Sequence, residues 1–294
     1  MQHKTVLLHE AVDSLQLSQN DIVIDATFGS GGHASEILHK LGASGVYIGI
    51  DVDPTAFQNA SLPESEATIH KVNDNFRNIT NIVRSLHITS VNAILADLGW
   101  RMEQFSESNK GFSFLSEEPL YMTLGEPEKY PFTAEDIVNE WDEEVLADII
   151  YGYGEERGAR RIAKAIVEVR KESRIETTKQ LAECVVNALP KSAQFKKTHP
   201  ATKTFQAFRI AVNDELQVLE AFLKDAFTTL APGGRLSIIT FHSLEDRIVK
   251  HFFKEMVAAD MGTLVTKKPI IPTAEELSEN PRSRSAKLRT IIKT

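Results

Sequence analysis

The sequence predicts an α/β fold in which an open parallel sheet is interrupted by an all-helical insertion. Short β-branched runs alternate with helix-like segments near both ends of the chain, which is the rhythm of parallel α/β sheets. A glycine-rich loop joins the first strand to a helix. Between residues 99 and 199 this rhythm stops and amphipathic helices follow. We therefore expect residues 1–108 and 201–294 to form one domain, with residues 109–200 inserted as a second.

Length and composition indicate an ordinary globular protein of enzyme size. The chain has 294 residues and a formal net charge of −8. It contains no apolar run of about 18 residues and no secretory signal at its start, so we expect a cytoplasmic protein with no membrane partner. The one cysteine, Cys184, falls on the apolar stripe of a predicted helix. Burial is its expected fate, and disulfides and zinc–cysteine sites are excluded.

The stretch from Ile22 to His33 predicts a strand, a tight turn and a helix. Its three glycines, Gly29, Gly31 and Gly32, let a ligand approach the main chain at the N-terminal end of that helix. A lone glycine motif is an empty turn about as often as it is a binding site. The neighbouring residues must therefore decide whether a ligand binds.

Three strand-like runs end in carboxylates, at Asp25, Asp51 and Asp97. The carboxyl ends of parallel strands meet at one edge of a sheet, where α/β proteins bind ligands, and Asp51 lies where an acid accepts hydrogen bonds from ribose. A GxGxxA match from Gly29 leaves a dinucleotide-dependent oxidoreductase open. However, Asp25 would repel a pyrophosphate, whereas the sulfonium and ammonium of S-adenosylmethionine favour nearby acids. The methyl donor is the preferred cofactor.

Two aromatic side chains near this edge have two interpretations each. Phe76 follows the third predicted strand and either flanks an adenine ring or packs in the core. His242 follows the last predicted parallel strand and either reaches the active-site edge or bonds to backbone. We expect Ser243 to cap the next helix with Asp246 as its partner.

Basic residues are concentrated although the chain is acidic overall. Four cations share one face of a predicted helix: Arg157, Arg160, Arg161 and Lys164. Others follow at Lys191, Lys196, Lys197 and Lys203, and in a basic C-terminal tail at Lys267, Lys268, Arg282, Arg284, Lys287 and Arg289. Such patches are either solvated surface or contacts to RNA phosphates.

A set of motifs carries a resemblance to a known family. In chain order they are HKTVLLHEAV, DATFGSGGHASEIL, GIDVDP, GFSF, YGEERGARRIAKAIVE, HPATKTFQAFRIAVNDEL, APGGRLSIITFHSLEDRIVK and NPRSRSAKLR. Their order and residues resemble the ribosomal RNA small subunit methyltransferase H family over nearly the whole length.

The resemblance implies a class I S-adenosylmethionine-dependent methyltransferase fold, Rossmann-like, with an inserted helical domain. It implies N4-methylation of a cytidine in the decoding region of small-subunit (16S) ribosomal RNA. The partner would be that RNA or the assembled particle, and a homodimer stays open. The cofactor positions carry over to Gly31, Gly32, His33, Asp51, Phe76, Asp97 and Gln104.

Two segments depart from the family pattern. DLGWRMEQ (97–104) stands where a sequence like DLGVSSPQ is expected, and PLYMTL (119–124) replaces PLDMRM, so that Tyr121 and Thr123 stand for Asp and Arg. These changes indicate a divergent branch. They keep a second hypothesis open, a catalytically impaired homologue that acts as an RNA-binding factor in ribosome assembly.

The chemistry of methyl transfer to an amino nitrogen needs placement more than it needs reactive groups. It is an in-line displacement, so neither a metal nor a covalent intermediate is required. An acceptor for an N4 proton makes the amine a better nucleophile, and Asp97 is the candidate, unless it only binds the cofactor. Trp100, three residues after Asp97, either stacks on the extruded base or packs in the core.

Overall fold

A computed structural model describes residues 4–99, 109–191 and 199–294. In chain order, the first described part contains α1 (Leu8–Leu15), β1 (Ile22–Asp25), α2 (Gly32–Lys40), β2 (Val46–Asp51), α3 (Thr55–Asn59), β3 (Thr68–Asn73), α4 (Ile79–Ser85) and β4 (Val91–Asp97). Next come α5 (Ala134–Glu140), α6 (Glu143–Gly152), α7 (Ala159–Glu172), α8 (Thr178–Ala188), α9 (Thr202–Asn213) and α10 (Glu215–Thr229). The last are β5 (Leu230–Thr240), α11 (Ser243–Ala258), β6 (Gly262–Leu264), α12 (Ala274–Glu279) and β7 (Lys287–Lys293).

Seven strands form one sheet in the order β3-β2-β1-β4-β5-β7-β6. The first five of these are mutually parallel, and β7 runs antiparallel to both of its neighbours. Apolar clusters cover both faces. One includes residues of α1 and α2, and the other includes residues of α4, α10 and α11. The structure confirms the predicted class I methyltransferase fold, a Rossmann-like sheet with helices on both sides.

The chain divides into two compact units, residues 1–99 with 216–294, and residues 100–215. The expected boundaries were 108/109 and 200/201. The second boundary lies later because α9 buries Phe205, Phe208 and Val212 in the apolar core of the helical unit. That unit contains α5 to α9, and capping boxes begin two of its helices, at Thr133 with Asp136 and at Thr177 with Gln180.

The Pro-Gly-Gly segment, whose residues are typical of a turn, forms a bulge inside β5. Val91 pairs with Leu230 and Ala93 pairs with Arg235, so several residues of β5 face one residue of β4. Gly233 has a φ of +80°, and a Cβ on Gly234 would lie 2.8 Å from the carbonyl oxygen of Ala231. The two glycines therefore make the bulge sterically feasible.

The described helices include none that combines the length and the apolar character needed to cross a membrane.

Candidate active site at the carboxyl edge of the sheet

The glycine loop is held open for main-chain contacts. Gly29 and Gly31 have positive φ angles of 58° and 81°, and Gly31 caps α2. A Cβ on Gly31 would lie 3.2 Å from the Cβ of Ala60, which leaves little room for a side chain. The Gly29 amide donates to Asp51 and the Gly31 amide donates to the carbonyl of Phe28, so both amides serve the loop's own hydrogen bonding.

Gly32 has a structural role that the sequence does not reveal. A Cβ there would lie 1.8 Å from Oγ1 of Thr5, so the N-terminal segment packs directly on the helix start. That segment is fixed to the far end of the chain. The Leu7 amide donates to Glu276, and the Asn280 side-chain amide donates to the carbonyl of Lys4.

Asp51 ties the glycine loop to the end of β2. Its Oδ2 accepts a hydrogen bond from the Gly29 amide at 2.9 Å, and its Oδ1 accepts one from the Asp53 amide, also at 2.9 Å. Each carboxylate oxygen can accept more than one hydrogen bond, so Asp51 can still accept hydrogen bonds from ribose hydroxyls. Asp51 is therefore placed both to order the loop and to bind a ligand beside it.

Asp25 is the deepest acid of the edge, with 1% of its surface exposed. Burial raises its pKa to about 6, and the negative charge of Asp51 adds to that rise. Hydrogen bonds from the Tyr47 hydroxyl at 2.9 Å and from the Thr27 amide at 3.2 Å oppose it. A carboxylate held this way is a strong attractor for a cation that enters the edge.

Asp97 ends β4 and is oriented by its own neighbours. Its amide donates to Oγ1 of Thr27 at 2.6 Å, and its Oδ1 accepts from the Gly99 amide at 2.8 Å. Burial raises its pKa to about 7, with further contributions from the charges of Asp25 and Glu245, while the Gly99 hydrogen bond lowers it. Among the described residues no hydrogen bond to its Oδ2 is seen, and Nδ1 of His33 lies 3.8 Å from that oxygen.

His33 lies under Asp97 in α2 and is almost wholly buried. Its Nε2 is 3.2 Å from the carbonyl oxygen of Val6, which can only accept, so Nε2 carries a proton. Its Nδ1 is 3.8 Å from Oδ2 of Asp97. His33 therefore packs against the Oδ2 side of the Asp97 carboxylate.

His242 and Glu245 form a cap that the sequence analysis assigned to the wrong residues. Ser243 and Asp246 were expected to cap α11. Instead Nδ1 of His242 accepts from the Glu245 amide, and Glu245 accepts from the amides of Phe241 and His242. Nε2 of His242 lies 3.0 Å from Oε1 of Glu245 without hydrogen-bond geometry. The signal that was overlooked is a carboxylate three residues after a strand-end acceptor.

The remaining predicted cofactor residues differ in what the structure says of them. Phe76 is partly buried and meets Phe222 edge-on at 4.8 Å between ring centroids, which fits the core interpretation and leaves contact with adenine a prediction. Gln104 and Trp100 lie outside the described residues.

Cys184 is buried, and burial raises its thiol pKa to about 11, so it is a poor nucleophile.

The basic residues are not all free surface. Arg160, Arg161 and Lys164 are exposed on α7, but Arg157 precedes the helix because the turn at Gly158, held by Glu156, delays its start. Two residues of the predicted basic tail, Lys287 and Arg289, are part of the sheet in β7, whereas Arg282 and Arg284 lie in a short 3-10 helix (Pro281–Ser285). Lys196 and Lys197 fall outside the described residues.

Known proteins resemble this chain over its whole length. The profile of the MraW methylase family matches residues 1–294. The ribosomal RNA small subunit methyltransferase H of Clostridioides difficile (strain 630) is 41% identical, over 99% of this chain and 98% of that protein. Its counterpart from Clostridium botulinum (strain Loch Maree / Type A3) is 44% identical over the same shares. An rRNA methylase structure from Streptococcus thermophilus has 12% identity and a TM-score of 0.45, covering 100% of this chain and 99% of that one. The whole-length sequence matches establish that this chain belongs to the MraW methylase family.

Proposed function

We propose that this protein transfers a methyl group from S-adenosylmethionine to N4 of a cytidine in the decoding region of small-subunit (16S) ribosomal RNA. Family membership and the names of the curated relatives support the reaction and the RNA. The observation that carries the proposal is the set of coupled acids, Asp25, Asp51 and Asp97, at the edge next to the glycine loop. We expect this chemistry in the cytoplasm, where ribosomes are assembled.

The residues of this edge fit the cofactor. The loop at Gly31 leaves little room for a side chain, so a ligand can approach the main chain, while Asp51 offers acceptors to the ribose hydroxyls. Phe76 and Gln104 would complete the adenosine contacts implied by the family resemblance. When bound, S-adenosylmethionine supplies an electrophilic methyl group on a positively charged sulfur. The raised pKa values show that burial disfavours the ionised forms of Asp25 and Asp97. A cation bound beside them would lower the free energy of those ionised forms.

Asp97 is the candidate acceptor for the substrate amine. Its Oδ1 is already bonded to Gly99, so Oδ2 would accept a hydrogen bond from one N4 proton of cytosine. That bond localises electron density on N4, which is otherwise delocalised into the ring. With a pKa of about 7, the carboxylate also suits temporary acceptance of the proton that N4 loses when the new C–N bond forms.

Product analysis tests the proposal directly. Purified protein, small ribosomal particles lacking the modification and labelled S-adenosylmethionine should give N4-methylcytidine in digested 16S RNA. NAD should not bind in parallel calorimetry, because the acids of this edge disfavour a pyrophosphate. If the protein binds cofactor and RNA but forms no product, the result would instead favour the second hypothesis, a catalytically impaired homologue that acts in ribosome assembly. The departures in the PLYMTL segment are the reason for that hypothesis.

The PLYMTL segment itself is ordered in the helical unit. Thr123 is wholly buried, and its hydroxyl donates to the carbonyl of Gly125 at 3.1 Å. The Leu124 amide donates to the side-chain oxygen of Asn213 at 2.9 Å. A threonine at this position is therefore an integral part of the loop's packing and hydrogen bonding.

A further inference from the structure

A cationic cavity lies in the part of the sheet that is farthest along the strand order from the glycine loop. It has a volume of about 230 Å³ and is bounded by α11, β7 and the loop after β6. Phe253, Leu264 and Pro269 give it an apolar floor. Five cations line the rest: Lys250, Lys254, Lys267, Lys268 and Arg289. Among the described residues that line this cavity, none is a carboxylate.

Most of these cations are not neutralised. Arg289 donates to Oδ1 of Asp246 at 2.7 Å, and the same carboxylate receives Lys287 at 3.0 Å through Oδ2. Hydrogen bonds from both cations hold the pKa of Asp246 below its usual range although burial acts to raise it. Within residues 4–99, 109–191 and 199–294, the four lysines of the cavity form no ion pair. The cavity therefore has a strong positive potential that an anion would relieve.

Three separate segments bring the cations together. Lys250 and Lys254 are one turn apart on α11, and Lys267 and Lys268 follow each other in the loop after β6. Arg289 comes from β7. Val249, Phe252 and Phe253 pack α11 into the apolar core of the sheet. This packing fixes the position of Lys250 and Lys254 relative to β6 and β7.

The strand register places the cavity close to the candidate acceptor. Asp97 pairs with Ile239 of β5, and Arg289 pairs with Ile238 of the same strand. The backbones of Asp97 and Arg289 are therefore separated by two inter-strand spacings, about 10 Å. A chain whose base lies at Asp97 would have neighbouring backbone groups within reach of the cavity.

We propose that this cavity binds a phosphodiester group of the substrate RNA strand, next to the nucleotide that is methylated. The inference rests on the proposed function, since it takes the target base to lie at Asp97. Lysine ammonium groups attract phosphate as mobile point charges, and the exposed positions of Lys254, Lys267 and Lys268 leave them accessible to an RNA strand. An acidic protein segment fits the charge equally well, but only an RNA strand links the cavity to the acceptor two strands away.

The test is reversal of two lysines of the cavity, Lys250→Glu with Lys254→Glu. The matched control reverses two exposed lysines of the same unit outside the cavity, Lys71→Glu with Lys224→Glu. Affinity for protein-free 16S RNA is measured over a range of salt concentrations, and cofactor affinity is measured by calorimetry. We expect the cavity variant to bind roughly tenfold or more weakly than the control, with a salt slope smaller by about 1.4 for two lost phosphate contacts. Cofactor affinity should be unchanged in both.

Other results would overturn the inference. Equal affinity and equal salt slope in the two variants would mean that the cavity does not contact phosphate. Weaker binding to assembled particles but not to free RNA would identify a protein partner instead. A second double variant, Lys267→Gln with Lys268→Gln, repeats the test in the loop after β6. It adds no negative charge and leaves the sequence of α11 unchanged, so the folding of that helix is not affected. Failure of the proposed function would appear separately, as wild-type protein that binds RNA and forms no N4-methylcytidine.

Discussion

Two regions of one sheet carry opposite charge at the same edge. At β1, β2 and β4 the strand ends supply Asp25, Asp51 and Asp97, whose mutual repulsion and burial raise the pKa values of Asp25 and Asp97. At β6 and β7 five cations line the cavity, and the carboxylate of Asp246 is shared between one of them, Arg289, and the neighbouring Lys287. The difference matches the two ligands of the proposed reaction, a cationic donor and an anionic acceptor strand.

The largest effect is expected at the acidic end, from Asp97→Asn. If Oδ2 accepts the N4 proton, the methylation rate at saturating cofactor should fall about 10²- to 10⁴-fold, because the amide is a weaker acceptor and cannot take the proton. Asp225→Asn, a half-buried acid on α10, serves as the control. A normal saturated rate with weakened cofactor binding would reduce Asp97 to a cofactor contact. Single-turnover rates and calorimetry separate the two cases.

The pH dependence of ligand binding should distinguish the acidic strand ends of β1, β2 and β4 from the cationic cavity at β6 and β7. Burial raises the pKa of Asp25 to about 6 and that of Asp97 to about 7, so both acids hold protons in the free protein at low pH. A cationic ligand favours their ionised forms, and its binding releases those protons. Affinity for S-adenosylmethionine should therefore rise with pH up to about 7, by as much as about tenfold per unit for each acid that is still protonated.

S-adenosylhomocysteine, which lacks the sulfonium charge, is the control ligand for this titration, and its affinity should rise less. RNA affinity, which depends on lysines and arginines, should not follow the same curve. Calorimetry at several pH values gives all three results. A flat profile for the cationic donor would show that these acids are not linked to its binding.

Removing the Asp51 carboxylate should have an intermediate effect. Asp51→Ala deletes charge-assisted hydrogen bonds to ribose and should weaken cofactor binding by about 1.5 to 3 kcal/mol. Because Asp51 also accepts from the Gly29 amide, part of the loss comes from a less ordered loop. Asp13→Ala, an exposed acid on α1, is the comparison, and unchanged affinity in Asp51→Ala would remove it from the cofactor site.

The smallest effect is expected from the exposed basic residues of α7 in the helical unit. Arg160→Glu with Lys164→Glu reverses two exposed cations on α7 and should weaken RNA binding roughly severalfold, with no change in cofactor affinity. The control on the same unit is Lys171→Glu with Lys179→Glu. If the two double variants bind RNA alike at every salt concentration, the α7 face is ordinary solvated surface.

The sequence was most informative where structure is local. The β-branched runs predicted β1 and β2 within one residue, and the helical spacing of Ala11, Val12 and Leu15 fits the buried face of α1, because periodicity reports burial directly. It was less informative about partial burial. Val145 and Val169 fall on apolar stripes at helical spacing, yet they are 42% and 38% exposed, since each lies at the margin of its helix's apolar face.

Non-local contacts account for the remaining differences. Asp246 was expected to cap α11, but it binds Lys287 and Arg289, which lie more than forty residues later, a separation that no local pattern reports. The acidic edge was predictable because each acid directly follows a strand. The cationic cavity was not, because its lysines and arginine come from three segments that only the antiparallel insertion of β7 brings together.

The packing of Thr5 against Gly32 has a consequence for the order of events during synthesis. The segment that braces the start of α2 is itself fixed by Glu276 and Asn280. The two contacts join residues that are 269 and 276 positions apart in the chain. The start of α2 is made early in synthesis, but its packing is therefore complete only after Glu276 and Asn280 have been added. Contacts between residues so distant in sequence slow folding, so we expect this corner of the donor site to form late.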